Sequence, residues 1–207
     1  MEDTTVPALL MEALSDKVLH QLPAAVWKGL FLGEGRDSIV FEQRHLTLVH
    51  ADAVVQPDGS DAWERFFGEL QQLAVRYGGR LDPYVDAAAL IFFEDAGAAV
   101  RMGLALQRAG KGLGMRVGVV SGPCTLAYFR AQDRLWCTPL GVQPARAAEV
   151  AMGAQLGGIV ISPETYSSSD KAATNPTTSE FKDSESDLSA LQFALDEQPA
   201  TYTGRWR

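Results

Sequence analysis

Apolar residues along this 207-residue chain fall into short periodic segments separated by turn formers. In ALLMEALSDKVLHQL, Leu9, Leu10, Leu14 and Leu22, with Val18 between, put one apolar stripe on a helix that Pro23 closes. A second apolar stretch, AAVWKGLFLGEG, stops at its glycines. This N-terminal helical segment, residues 1–44, has two outlets for its stripe: its own core, or a copy or neighbouring domain. HLTLVHADAVV (45–55) alternates and is rich in β-formers, which predicts a strand, and QPDGSD is turn chemistry. DAWERFFGELQQLAVRY then places Trp63, Phe66, Phe67, Leu70, Leu73, Ala74 and Tyr77 at helical spacing. That stripe predicts a core-packed amphipathic helix with Asp61 as its N-cap.

Strands are expected at 80–85 and 88–93. EDAGAAVRMGLALQRAG is a helix with Ala99, Met102, Gly103 and Leu106 on one face, small enough for close packing on a sheet. MRVGVVSG (115–122) reads as a buried strand, a Gly122-Pro123 turn follows, and CTLAYF (124–129) continues as the next strand. RLWCTPLG is a further strand, PARAAEVA a helix with Pro144 in its first turn, GGIVIS (157–162) a strand, and PETY a turn of helix. From Ser167 to Asp187 the texture is Ser, Thr, Asp and Lys, with too little apolar surface to order itself, so 167–187 is read as a mobile loop. In 188–207, LSALQFALDEQ and TYTGRWR supply a helix and a last strand that complete the domain. The order predicts an α+β domain, a ferredoxin-like antiparallel sheet with helices packed on it. A doubly wound sheet does not fit, because the strand pairs at 80–93 and 115–129 leave no room for crossover helices.

A hydrophobic content of 46% supports one ordinary core. The net charge of -8 provides no electrostatic footprint for nucleic acid or an anionic membrane. The longest apolar run, AAALIFF, is far below the ~20 residues needed to span a bilayer. MEDTTVPALL lacks a basic n-region, so the expected location is the cytoplasm. Cys124 and Cys137 have no Cys-x-x-Cys spacing and no histidine at ligand distance, which predicts reduced core thiols.

Four blocks, in order, carry a resemblance. LTLVHADAV is similar to the first metal strand of the class III adenylyl/guanylyl cyclase catalytic domain. RYGGRLDPYVDAAALIFFEDAGAAVRMGLALQRA resembles that family's glycine-led hairpin and following helix. MRVGVVSGPCTLAYF resembles its R-x-G strand, and AQLGGIVISPETY its closing strand and helix. The resemblance spans about 45–166, which makes that stretch the cyclase-homology domain and implies the class III cyclase fold. It also implies metal-assisted attack of a ribose 3′-hydroxyl on the α-phosphate of a nucleoside triphosphate. Two aspartates would hold Mg or Mn, while Asn, Arg and a base-reading Lys with Asp or Thr complete the site.

Carried onto this chain, Asp52 matches the first metal aspartate. The second falls on Ala87 in one strand register and on Asp86 in the other. The Lys position is Pro83 or Asp82, and Thr138 stands where the family has Asp or Thr. The Asn position is Ala145 and the Arg position Glu149, with Arg146 one turn earlier. The site implied by the resemblance therefore has Asp52 and Asp86 as metal ligands, Thr138, Gly122 and Arg146 toward nucleotide, and no catalytic residue. These losses imply a non-catalytic, regulatory or nucleotide-sensing dimerisation module of bacterial-type signal transduction. Its implied partners are its own copy, a nucleotide or cyclic nucleotide and a partner signalling protein, with no nucleic acid and no membrane span. The alternative is an active nucleotidyl cyclase working through Asp52 and Asp86, as a heterodimer whose partner supplies Asn and Arg.

Overall fold

Two long strands organise the sheet. The computed structural model describes residues 5–54, 60–82, 88–110, 114–131, 134–173 and 205–206. β1 (Val40–Ala53) runs antiparallel to β4 (Met115–Ala131) along its whole length, from Val40↔Tyr128 to Ala53↔Met115. β2 (Arg80–Asp82) and β3 (Ala88–Phe93) add a hairpin on one side of β1, and β5 (Arg134–Leu140), β6 (Ile159–Ile161) and β7 (Arg205–Trp206) lie beyond β4. The order is β2-β3-β1-β4-β6-β7, with β5 pairing the far half of β4. Among the described residues only the β4–β6 pair is parallel, so the antiparallel α+β expectation holds.

Alternation along these strands builds two sheet faces. Val49, Ile91, Phe93, Val117, Val119 and Ile159 face α3 (Ser60–Arg76) and α4 (Ala96–Ala109). Leu46, Leu48, Leu90, Phe92, Val120 and Leu126 form the other face with Ala147 of α5 (Val142–Met152). Small residues bring helices close, as expected for α4: a Cβ on Gly103 would lie 2.7 Å from Ile159 Cδ1. α4 is N-capped by Asp95, whose carboxylate accepts from Gly97 N–H at 2.8 Å. At the far end of the β1–β4 ribbon, Ala127, Phe129, Ala131 and Leu140 pack against α1 (Thr5–Val18) and α2 (Ala24–Phe31).

Several expectations change. β4 has no turn at Gly122-Pro123; it runs through, pairing Leu46↔Gly122 and His45↔Pro123. Pro123 is tolerated because the outer edge of β4 is unoccupied there: β6 pairing ends at Val119 and β5 pairing begins at Thr125. β1 starts at Val40, so the boundary at 44 cuts a strand. Helix α3 begins at Ser60, placing Asp61 inside it rather than at the cap. Leu9 and Phe67, expected in apolar stripes, are exposed. The predicted loop from Ser167 begins as helix: α6 spans Pro163–Ala173. The rest of that loop and the helix at 188–198 lie outside the described residues. Both cysteines are free, Cys124 buried and Cys137 half-buried.

Candidate functional site

Asp52 sits near the end of β1, between Ala88 of β3 and Arg116 of β4. Cross-strand pairing puts Arg116 directly opposite, and its guanidinium Nη2 donates to Asp52 Oδ2 at 2.6 Å. Each side chain keeps about a quarter of its surface in water. Asp86 and Ala87 lie outside the described residues. Among the described residues, no group of three or more His, Cys, Asp or Glu could hold a metal ion. Of the two carboxylates implied for Mg or Mn, Asp52 has a guanidinium on its Oδ2, and Asp86 is outside the described residues.

Two of the residues expected toward nucleotide, Gly122 and Arg146, lie at α5. Gly122 lies within β4 against Gln143 of α5, where a Cβ would fall 2.2 Å from Gln143 Nε2. Arg146 stands on α5 and donates to both carboxylate oxygens of Glu164 at 3.1 Å, an exposed pair. That pair, with backbone and Ser162 hydrogen bonds, holds the Glu164 carboxyl below the usual carboxylate range, the local backbone bond being the largest cause. Glu149, at the family's Arg position, is exposed. A cleft of about 290 Å³ lined by Leu46, Arg80, Phe92, Glu94, Leu126 and Tyr128 opens at the far end of β3 from Asp52. Of the described site residues, Asp52, Gly122, Thr138 and Arg146, none lines it.

Thr138 is different. It is fully buried, and its hydroxyl donates to Asp82 Oδ1 at 2.8 Å. β2 and β5 are far apart in the strand order, so this contact requires the β4–β5 arm to curl back over the sheet. The other carboxylate oxygen, Asp82 Oδ2, accepts from Lys17 Nζ at 2.6 Å, and the same ammonium donates to the Pro139 carbonyl at 2.9 Å. The Asp82 side chain is 0% exposed and that of Lys17 18%. Lys17 thus brings α1 onto Asp82, one of the two candidates for the base-reading Lys position, and beside Thr138. Reasoning from sequence passed over Lys17, although a signal existed: it lies three residues after Leu14 and beside Val18, on the helix face that is buried.

No protein-family model matches the chain, and no curated protein matches it. Solved structures do. The adenylyl cyclase CyaB from P. aeruginosa aligns with a TM-score of 0.55 at 26% identity, covering 64% of this chain and 83% of that one. The guanylyl cyclase Cya2 aligns at 0.51 with 19% identity, covering 62% and 79%. This chain has the class III adenylyl/guanylyl cyclase fold. The guanylate cyclase domain of RhGC from Catenaria anguillulae, solved in complex with GTP, aligns at 0.53 with 18% identity, covering 61% and 82%. The aligned share leaves room for extra elements on the cyclase fold, and no helix among the described residues is long and apolar enough to cross a membrane.

Proposed function

We propose that this chain is a non-catalytic cyclase-homology domain, a regulatory or nucleotide-sensing dimerisation module. The observation that carries this reading is the Asp52–Arg116 ion pair at 2.6 Å. A carboxylate that must hold a divalent cation is here neutralised within its own chain. Glu149 at the Arg position adds negative charge where a phosphoryl transition state needs positive charge. Losing one such electrostatic donor costs about 3–4 kcal/mol of barrier, roughly a hundred- to a thousandfold in rate. Thr138 and Asp82 keep a polar pair on the base-reading side, which supports sensing over pure scaffolding.

Dimerisation stands on the fold. A guanylyl cyclase domain from the aquatic fungus Blastocladiella emersonii is described in both dimeric and monomeric form. The apolar stripe of α1 does not argue for it, since Leu14 and Val18 are buried against their own domain.

The test is a mass-spectrometric assay for cyclic purine and pyrimidine nucleotides, with Mg²⁺ or Mn²⁺ and each common nucleoside triphosphate. No product above background is expected. Product that disappears in Asp52→Ala would overturn this reading and make Asp52, with Asp86, a metal ligand of an active cyclase. A melting-temperature rise with nucleotide is expected of a sensor and not of a scaffold, because a ligand of the native state stabilises it by mass action.

A further inference from the structure

We propose, on the nucleotide-sensing reading above, that α1 is an intramolecular plug: Lys17 occupies the Asp82–Thr138 pocket, and nucleotide binding there requires α1 to leave. The pocket's polar groups are engaged from inside the chain. Asp82 Oδ1 accepts from Thr138, Asp82 Oδ2 and the Pro139 carbonyl accept from Lys17, and neither the Asp82 nor the Thr138 side chain reaches solvent. A base approaching this pair meets a helix instead of water, and every hydrogen bond it made to Asp82 Oδ2 would replace one made by Lys17.

Besides Lys17, α1 is held by Leu14 and Val18, by partly buried Met11, and by Trp27 Nε1 donating to the Ser15 carbonyl at 3.3 Å. Along its fourteen residues, Leu14 and Val18 are the described side chains that are fully buried. Glu12, Ala13 and Asp16 face solvent, and Leu9 is 60% exposed. A helix this short is marginal on its own in water. Its docking therefore depends on the Leu14–Val18 contact and the Lys17 ion pair together. The neighbouring α2 keeps Leu30 and Phe31 in the cluster around Phe129, so release of α1 withdraws Leu14 and Val18 from that cluster and leaves the α2 side of it in place.

Because plug and nucleotide compete for the same groups, their coupling is reciprocal: nucleotide loosens α1 by the factor by which loosening α1 strengthens nucleotide binding. The experiment follows amide hydrogen exchange of residues 9–18 in the full chain, with and without Mn²⁺ and GTP or ATP up to millimolar concentration. In the unmodified protein, saturating nucleotide is expected to speed exchange in this segment at least fivefold. Lys17→Met should speed it without nucleotide and tighten nucleotide binding about tenfold. Exchange across Val117–Val120, deep in β4, should stay within twofold throughout. Nucleotide that binds without moving α1, or equally well to Lys17→Met, overturns the plug. A loosened α1 with no nucleotide bound to either protein overturns the nucleotide reading itself, and the plug as its gate falls with it. If Lys17→Met does not fold, the nucleotide arm on the unmodified protein still decides.

Discussion

Replacing Lys17 by Met removes an ammonium and keeps most of the side-chain volume. Left behind is the Asp82 carboxylate, 0% exposed and without its counter-ion at 2.6 Å. Removing one partner of a buried pair is destabilising by about 3–5 kcal/mol. Lys17 retains 18% exposure, so the lower end, about 3 kcal/mol, applies. With a urea slope of about 2 kcal/mol per molar, the unfolding midpoint should fall by roughly 1.5 M. The reverse change, Asp82→Leu, is milder at about 1–2 kcal/mol, because the freed ammonium can turn toward water. The double variant removes both charges and leaves an apolar contact, a replacement that is often neutral for a buried pair. Its stability should lie within about 1.5 kcal/mol of the parent, giving a coupling energy of at least about 2.5 kcal/mol in the double-mutant cycle. Urea unfolding followed by circular dichroism measures all four proteins. Two single effects that add to within about 0.5 kcal/mol would show that Lys17 and Asp82 do not stabilise each other, whatever their distance.

Three further outcomes follow from the same geometry. Gly118→Ala would set its Cβ 2.4 Å from the Ala147 carbonyl oxygen and 2.5 Å from Ala151 N, both backbone, so α5 must lift from β4. A loss of about 3 kcal/mol, or roughly 6–12 °C in Tm by calorimetry, is expected, and an unchanged melt would mean that α5 does not pack there. Thr138→Val removes the hydroxyl donor to Asp82 and should reduce stability by about 1–2 kcal/mol in urea titration; a silent substitution would show that this hydroxyl is not needed to satisfy the carboxylate. Burial pushes the Cys124 thiol from 9.0 up to about 11. With the folded value above the unfolded one, its contribution is present below pH 9 and lost as pH rises through about 11. The native thiol should resist a disulfide reagent at pH 8, and Cys124→Ala should flatten the alkaline fall in stability; rapid native labelling at Cys124 would contradict its burial.

Much of the architecture was legible because the core writes itself into period: Ala99, Met102, Gly103 and Leu106 are buried, as their spacing on α4 indicates. Failures came where one local rule met another. Gly122-Pro123 reads as a turn, but a strand can carry Pro where its outer edge has no partner. SSSD reads as loop, yet Ser167 and Ser168 bond back to the carbonyls of Pro163 and Glu164, satisfying their hydroxyls inside a helix. Val40–Arg44 shows no clean alternation because the half-buried residues there, Phe41 and Glu42, are neighbours in sequence and none of the five is fully buried. Of the candidate site, Asp52 and Thr138 could be placed from motif spacing. Asp82 was one of two candidates from the same spacing; the pairing of Asp52 with Arg116 and of Asp82 with Lys17 could not be read, because long-range pairing is set by strand register and by an arm folding back.

The exchange of charge at position 82 links the two halves of the proposed function. In one of its two registers the resemblance puts a lysine there; in the other the lysine falls on Pro83. With a lysine, α1 could not close over the pair without burying an ammonium beside a hydroxyl, at a cost of several kcal/mol. An aspartate alone would be equally costly to cover. An aspartate met by Lys17 from α1 forms a pair with no net charge, its oxygens satisfied by Lys17 and Thr138, and such a pair can be covered. In the register that places the lysine at 82, the residue that removes a cation from that strand is also the one Lys17 meets when α1 docks. Reversing it should undo both: Asp82→Lys places two ammonium groups where the structure has an ion pair at 2.6 Å, and α1 should be expelled. Protease cleavage within residues 5–22 of a chain that otherwise stays folded is the expected signature. Unchanged resistance there would mean that α1 is held by its apolar contacts alone, and that position 82 has no hold on it.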